Sequence, residues 1–292
     1  MSTFEFASFW EGGKLSPYEL LCVTSFIKKG CDFTLYSYDK IEHLPPQIKH
    51  VNAREILPPD YLNKFLVHGA PSIAHFSDYF RYVMFQKTNH TWVDTDVILL
   101  RNFDFTSSEY VLGMETATSI NNAVLKISNN APHLSDLIRK VEALIGKELS
   151  WGDTGPRMLS QIFGECIRQL ALPPTAFYPI HYDDYHKVFL PEFRSECEDR
   201  CKSSYALHLW NNRIVKLGIW KNFGPPKDSF LYNIILENDA ERFFTDFYPE
   251  DVMRIMVRNA VFNNSGFVST VKKIISYTMP GVYNALRRSV LR

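Results

Sequence analysis

Along the first two thirds of the chain, short apolar segments of strand length alternate with segments whose apolar residues recur at helical spacing. This alternation points to an α/β architecture and away from all-helical and all-β folds. Phe4 to Phe9 reads as a first strand ending at Trp10-Glu11-Gly12-Gly13. Ser16-Pro17-Tyr18-Glu19 is a helix start: the serine caps, the proline occupies the first helical position where its missing N–H costs nothing, and Glu19 completes a capping box. The helix is predicted to run to about Lys29 before Gly30 stops it, and Phe33 to Tyr38 supplies a second strand. Strand, loop, helix, strand is the opening of a nucleotide-binding α/β unit.

After a less regular stretch punctuated by Pro45-Pro46 and Pro58-Pro59, Ala70-Pro71-Ser72 opens a helix whose Ile73, Phe76, Phe80, Val83 and Met84 form a stripe. Asp78 and Arg81, three residues apart, share a face different from most of that stripe. Strands are predicted at Thr91-Trp92-Val93, at Val97 to Leu100, at Tyr110 to Gly113 and around Ala123 to Ile127. Helices are predicted from Pro132 to Ile145 and, after the tight turn Trp151 to Pro156, from Met158 to Leu170. Phe177-Tyr178-Pro179 leads into a polar loop, then Tyr205 to Asn211.

Asp94-Thr95-Asp96 lies between two apolar runs, so its carboxylates emerge where a buried strand ends. Paired carboxylates there suit a hard divalent cation that keeps positions open for phosphate oxygens. Such a cation would neutralise a diphosphate leaving group. His208 is a third candidate ligand from the far end of the domain, although a lone histidine on a strand is often a satisfied core residue. The Trp210 indole N–H could donate to a phosphate oxygen. Glu115 and Asp153 are candidate acids on loops after the pair, and the cluster His181, Asp183, Asp184, His186 suggests an acceptor-side loop. For all of these, ordinary solvated polarity is the competing explanation.

The stretch Phe76-Ser77-Asp78-Tyr79-Phe80-Arg81-Tyr82, followed by Trp92-Val93-Asp94-Thr95-Asp96-Val97, resembles the signature of the Asp-X-Asp sugar-binding glycosyltransferases. That group includes capsular polysaccharide glycosyltransferases, α-1,4-galactosyltransferases and yeast mannosyltransferases of the Golgi, with the large clostridial glucosylating toxins as more distant relatives. Further agreements follow in order: Phe9-Trp10 with the glycine pair, Asn121-Asn122-Ala123, Thr154-Gly155-Pro156, Phe177-Tyr178-Pro179 and His208-Leu209-Trp210-Asn211, so that the match spans roughly residues 4 to 215.

The resemblance implies a GT-A fold, a Rossmann-like mixed central sheet flanked by helices, over residues 1–250, and a metal-dependent hexosyl transfer from a UDP-sugar with retention of configuration. It implies that Asp94, Asp96 and His208 hold Mn²⁺ or Mg²⁺ and that Asp78 and Arg81 bind the donor sugar. Phe9 and Trp10 would border the uracil and ribose, and Asn121, Asn122 and Trp210 would address the phosphates or sugar. The implied catalytic set is Asp78, Arg81, Asp94 and Asp96, and no nucleophile for a double displacement is nominated. UDP-galactose is favoured by analogy, with a polysaccharide, lipopolysaccharide or other glycan as acceptor. A UDP-sugar hydrolase, a protein glucosyltransferase with the same donor site and a catalytically silent sugar-nucleotide or glycan-binding module stay open as alternatives.

The formal net charge of zero hides an asymmetry. From Val252 to Arg292 there are seven Lys/Arg and no Asp/Glu, which leaves 25 basic against 32 acidic side chains in the preceding chain. Val268, Val271, Ile274, Ile275 and Thr278 form one helical stripe, and Val282, Tyr283, Leu286 and Val290 a second. Residues 251–292 are therefore expected to be a basic amphipathic helical extension that meets an anionic membrane surface, or else packs on the domain or a second subunit. The N-terminus lacks the pattern of a signal peptide and no run is long enough to span a bilayer, so a cytoplasmic protein, peripheral on the cytosolic face of a membrane, is expected. Five cysteines without a zinc-ribbon pattern are expected to be free thiols, with a Cys197–Cys201 bridge the alternative under oxidising conditions. A nucleic-acid partner is not expected, and a homo-oligomer is left open.

Overall fold

A computed structural model describes residues 4–103 and 107–262. Its strands are, in chain order, β1 (Glu5–Phe9), β2 (Asp32–Ser37), β3 (Lys49–Asn52), β4 (Thr91–Val93), β5 (Val97–Leu99), β6 (Tyr110–Met114), β7 (Ile120–Ile127) and β8 (Ala206–His208), besides short pairs in loops. Six of them form a mixed sheet in the order β3-β2-β1-β4-β7-β6. β1 runs parallel to β2 and β4, and β2 parallel to β3, whereas β7 is antiparallel to both β4 and β6. The change of sense falls at β4, the strand that leads directly into Asp94. β5 leaves the sheet and pairs antiparallel with β8, which sets His208 opposite Val97.

The strands in the middle of the sheet are buried on both faces, as the covering helices require. Alternate residues of β1 supply two different cores: Ala7 and Phe9 join Phe76 and Phe80, while Phe6 joins Val23 and Phe26. The first core lies under α2 (Ile73–Lys87) and α3 (Pro132–Glu142), and the second under α1 (Pro17–Lys28). Each fully buried phenylalanine among them contributes about 1.5–3 kcal/mol relative to exposure. A third core joins Tyr18, Leu21 and Cys22 of α1 and Ile98 of β5 to residues from Ile180 to Val257. Residues between Ile180 and Val257 thus pack across α1 and β5. This is the Rossmann-like mixed sheet flanked by helices expected from the sequence.

Most element boundaries agree with the sequence pattern, and the exceptions have local causes. The capping box forms, with the Ser16 N–H donating to Glu19 Oε2 at 3.0 Å. Ile73, expected on the buried stripe of α2, is 41% exposed because it is the first helical residue and lies beyond the edge of the core. The helix expected over Met158 to Leu170 is broken: α4 (Pro156–Phe163) ends at Gly164, whose φ of 51° lies in the left-handed region, and a 3₁₀ turn precedes a short helix at Ile167–Leu170. The strand expected from Ala123 begins at Ile120, so Asn121 and Asn122 lie inside β7.

The helix Glu250–Phe262 buries Met253 and Val257 in the third core. The stripes expected between Val268 and Val290 lie outside the described residues. Among the described residues no helix is long and apolar enough to cross a bilayer. All five cysteines are free, Cys197 and Cys201 included.

Candidate functional site

The end of β4, the start of β7, α2, the turn before α4 and the end of β8 converge on five charged side chains. Trp92 and Asp94 are two apart on β4 and its exit, hence on one side of the strand. The Trp92 indole donates to Asp94 Oδ1 at 2.7 Å, and the Asp94 N–H donates to the Ala123 carbonyl at 2.8 Å. The same Asp94 oxygen lies 3.2 Å from Arg81 Nη2.

Arg81, 3% exposed, reaches this point from the third turn of α2 and leaves few of its donors idle. Its Nη1 donates to the Asn122 carbonyl at 2.5 Å, its Nε to the Ser77 carbonyl at 3.2 Å, and its Nη2 to Ser77 Oγ at 3.2 Å while standing 3.4 Å from Asp78 Oδ1. The guanidinium also lies 4.4 Å from the centre of the Trp92 ring, a cation–π contact strengthened by burial.

Asp78 accepts from Asn122 Nδ2 at 2.6 Å and from Thr154 Oγ1 at 2.8 Å. Burial pushes the Asp78 carboxyl above its ordinary range, against the opposing pull of Arg81 and Thr154. Gly155 closes the far side. A Cβ there would meet Asp78 Oδ2 at 2.7 Å and Asn122 Nδ2 at 2.8 Å, closer than carbon can approach either. Gly155→Ala is expected to destabilise the protein by about 1–3 kcal/mol through this overpacking. A thermal melt checks it, and an unchanged midpoint would mean that Asp78 and Asn122 can step aside at no cost.

Asp96 is held from the C-terminal half of the chain. Its Oδ2 accepts the Asn211 N–H at 2.7 Å, its Oδ1 lies 3.2 Å from His208 Nε2, and its carbonyl accepts the Leu209 N–H at 2.9 Å. Trp210 adopts left-handed backbone angles, φ 58° and ψ 60°, at the turn that delivers these two N–H groups. A non-glycine residue held there is strained, and such strain concentrates where surrounding structure imposes it for function.

Burial disfavours the charged form of both Asp96 and His208, yet their mutual attraction prevails. With the Asn211 N–H helping, the Asp96 carboxyl is held below its usual range, and Asp96, then Asp94 and Glu115, raise the His208 imidazole.

One ligand atom each from Asp94, Asp96 and His208 lies within 4.8 Å of the others, and among the described residues this group is suited to a metal ion. Its chemistry fits the cation expected from the sequence: two carboxylates and one imidazole suit Mn²⁺ and, less well, Mg²⁺. His208 Nδ1 is also buried without a hydrogen-bond partner, a cost that a ligand can relieve.

Asp78, Arg81, Asp94, Asp96, Asn121, Asn122, His208 and Trp210 are therefore gathered in one region, although several are engaged differently from expectation. The Trp210 indole donates to the Ile180 carbonyl at 2.9 Å instead of pointing to a phosphate, and its ring lies 4.0 Å from that of His208. Asn121 donates to Glu115 Oε2 at 2.8 Å and accepts from the Ala123 N–H, while Asn122 serves Asp78 and Arg81, so both amides organise the acids around them. The Phe9 side chain belongs to the core, 5.0 Å from the rings of both Phe76 and Phe80. Trp10, half-buried at the end of β1, donates from Nε1 to the Lys14 carbonyl at 3.2 Å.

Asp153 pairs with Arg157 at 3.1 Å as a local turn residue. The His181, Asp183, Asp184, His186 cluster disperses: Asp184 pairs with Arg200 at 2.8 Å and His181 faces Asp183 at 3.7 Å. Trp92 and Thr154 fall within the motifs quoted from the sequence, which give neither a role in the site. The signal for Trp92 was an indole donor two residues before a strand-end acid. For Thr154 it was a hydroxyl beside the only residue type that fits against Asp78.

Residues 147–222 match the model of the alpha 1,4-glycosyltransferase conserved region. The chain is similar to the lactosylceramide 4-alpha-galactosyltransferase of Rattus norvegicus, 29% identical over 149 residues that cover 47% of this chain and 41% of that enzyme. The Pongo pygmaeus enzyme of the same name is 31% identical over 150 residues, covering 47% of this chain and 67% of that sequence. The human alpha-1,4-N-acetylglucosaminyltransferase is 25% identical over 150 residues, covering 47% of this chain and 42% of that enzyme. The match thus spans less than half the length of the rat and human relatives. Among solved structures, PaToxG Glycosyltransferase aligns over 88% of this chain and 83% of that one, with a TM-score of 0.41 and 11% identity.

Proposed function

Because the chain belongs to the α-1,4-glycosyltransferase family, we propose that it transfers a hexose from a UDP-sugar to a glycan acceptor in a metal-dependent reaction that retains anomeric configuration. The observation that carries this proposal is the convergence of Asp94, Asp96 and His208 within 4.8 Å, beside the buried Asp78–Arg81 pair. The three ligands would hold Mn²⁺ or Mg²⁺, which when bound supplies Lewis acidity toward a diphosphate leaving group.

The chain's own residues would do the rest. Trp92 and Arg81 fix one Asp94 oxygen and leave the other for ligand. The Asn211 and Leu209 N–H groups hold Asp96 at the strand exit. Asp78 and Arg81, already positioned by Asn122, Thr154 and Ser77, would accept and donate hydrogen bonds to sugar hydroxyls, a preorganised arrangement that gives specificity. UDP-galactose is the favoured donor because most of the similar relatives are galactosyltransferases, with UDP-N-acetylglucosamine next. Glu250–Phe262 packs on the domain through Met253 and Val257, and the basic residues after Phe262 are proposed to meet an anionic membrane surface, where each Lys/Arg contributes about 1 kcal/mol, with the site on the cytosolic side.

Thermal-shift titration tests the donor site directly, since a bound ligand stabilises the folded state by mass action. UDP-galactose with Mn²⁺ is expected to raise the melting temperature more than either alone, and no effect of any UDP-sugar with metal would overturn the proposal. Trp92→Phe keeps the ring under Arg81 and removes the N–H that orients Asp94. It is expected to lower Mn²⁺ affinity about 10- to 100-fold, the range for residues that orient metal ligands. Calorimetric titration measures this, and wild-type affinity in the variant would show that the indole does not position Asp94.

A further inference from the structure

Trp151 is 68% exposed, although most large aromatic side chains here are in the cores. It stands on a turn fastened on several sides. The Ser150 N–H donates to Asp153 Oδ2 at 2.7 Å, and the Ser150 carbonyl lies 3.0 Å from His75 Nε2, which must donate because a carbonyl only accepts. His75 is itself oriented by Ser72 Oγ, 2.7 Å from Nδ1. The Gly152 carbonyl accepts from the Gly155 and Arg157 N–H groups at 3.2 and 3.0 Å. The Thr154 carbonyl accepts from the buried Tyr82 hydroxyl at 2.9 Å, and Thr154 Oγ1 donates to Asp78.

The turn is therefore part of the Asp78 site, and Trp151, three residues before Thr154, has its Cα within ~11 Å of the threonine's by chain reach alone. Its own exposure puts the indole in solvent, on the turn whose Thr154 reaches the buried Asp78. A rigid indole offers a large flat face at little entropic cost, and its edge N–H can reach hydroxyl groups. The C–H face of a pyranose ring is the complementary shape.

We propose that Trp151 is a stacking platform for a pyranose ring of the acceptor glycan, carried on the turn that supplies Thr154 to Asp78. This rests on the donor-site function proposed above. A ring on Trp151 is kept beside the sugar held at Asp78 and Arg81 by the turn that anchors both. Platform and donor site are thus built on one piece of backbone, which gives the acceptor an orientation as well as affinity.

The test uses the full chain labelled with ¹⁵N, whose five tryptophans give few indole N–H signals, with Trp151→Phe assigning the one of interest. Octyl β-lactoside is titrated with UDP and Mn²⁺ present. The Trp151 signal is expected to shift with the glycoside, and Trp151→Ala is expected to weaken lactoside binding about ten-fold or more, with Trp151→Phe close to wild type. The UDP-induced thermal shift is expected to be unchanged in both variants. A Trp151 signal that stays put up to the solubility limit of the glycoside, or unchanged lactoside affinity in Trp151→Ala, overturns the platform. Loss of the UDP response in the parent protein overturns the donor-site function instead, while a lactoside-dependent shift of Trp151 would still support the platform.

Discussion

Asp96→Ala is expected to lower metal-stimulated sugar transfer at least about a hundredfold, because a Lewis acid at a developing phosphate charge supplies several kcal/mol and each 1.36 kcal/mol is a factor of ten. In the proposed metal site Asp96 would be more than one ligand of three. It fixes His208 at 3.2 Å and receives the Asn211 N–H at 2.7 Å, so the alanine variant loses a carboxylate and also frees the imidazole that should stand beside it. Asp96→Asn separates these effects: it keeps the shape and an acceptor for Asn211, yet removes the charge. Both variants should fail with metal, whereas only the alanine should disturb the turn at Trp210. Turnover of UDP-galactose with and without Mn²⁺ measures the effect. Equal metal-stimulated turnover in Asp96→Ala would remove the metal assignment.

Arg81→Ala is expected to destabilise the protein by about 3–5 kcal/mol, the cost of leaving buried charge without its partner. The guanidinium touches Asp78, Asp94, Ser77, the Asn122 carbonyl and the face of Trp92, and one Lys ammonium cannot reproduce that fork. Arg81→Lys should therefore recover less than half of the loss. Asp78→Asn in the Arg81→Ala background should cost less than in the parent, since removing both charges relieves the mismatch that removing one creates. Urea unfolding of wild type, the three single variants and the double variant measures these differences. A midpoint for Arg81→Ala equal to wild type would show that the carboxylates are neutralised or hydrated without Arg81.

Much of this arrangement was legible in the sequence for simple reasons. The capping box at Ser16, the punctuation by Gly30 and the apolar runs on both sides of Asp94 are local signals, and the elements they predict are present. Asp78 and Arg81 could be grouped because three residues along a helix bring side chains to one face. The role of Trp92 was less visible because a tryptophan in a strand looks like core, and its ring is indeed core; only the indole edge belongs to the site. The engagement of Trp210 with the Ile180 carbonyl depended on a left-handed turn at the tryptophan itself, which nothing in its residue type favours. The break at Gly164 was a matter of weighing one glycine against an apolar periodicity that continues past it.

The pairing of β5 with β8 also bears on the order in which the protein can become functional. Asp96 and His208 are 112 residues apart, and the antiparallel ladder that aligns them is a non-local contact whose closure is slow relative to local helix formation. During synthesis, the sheet strands through Ile127 emerge well before residue 208 leaves the ribosome. The nascent chain can therefore assemble β1, β2 and β4 while the Asp94–Asp96–His208 group is incomplete, and acquires that group only when β8 docks. Under the metal assignment proposed above, metal capture would be a late event, coupled to closure of the domain, and a chain interrupted before Ala206 would carry Asp94 and Asp96 without His208.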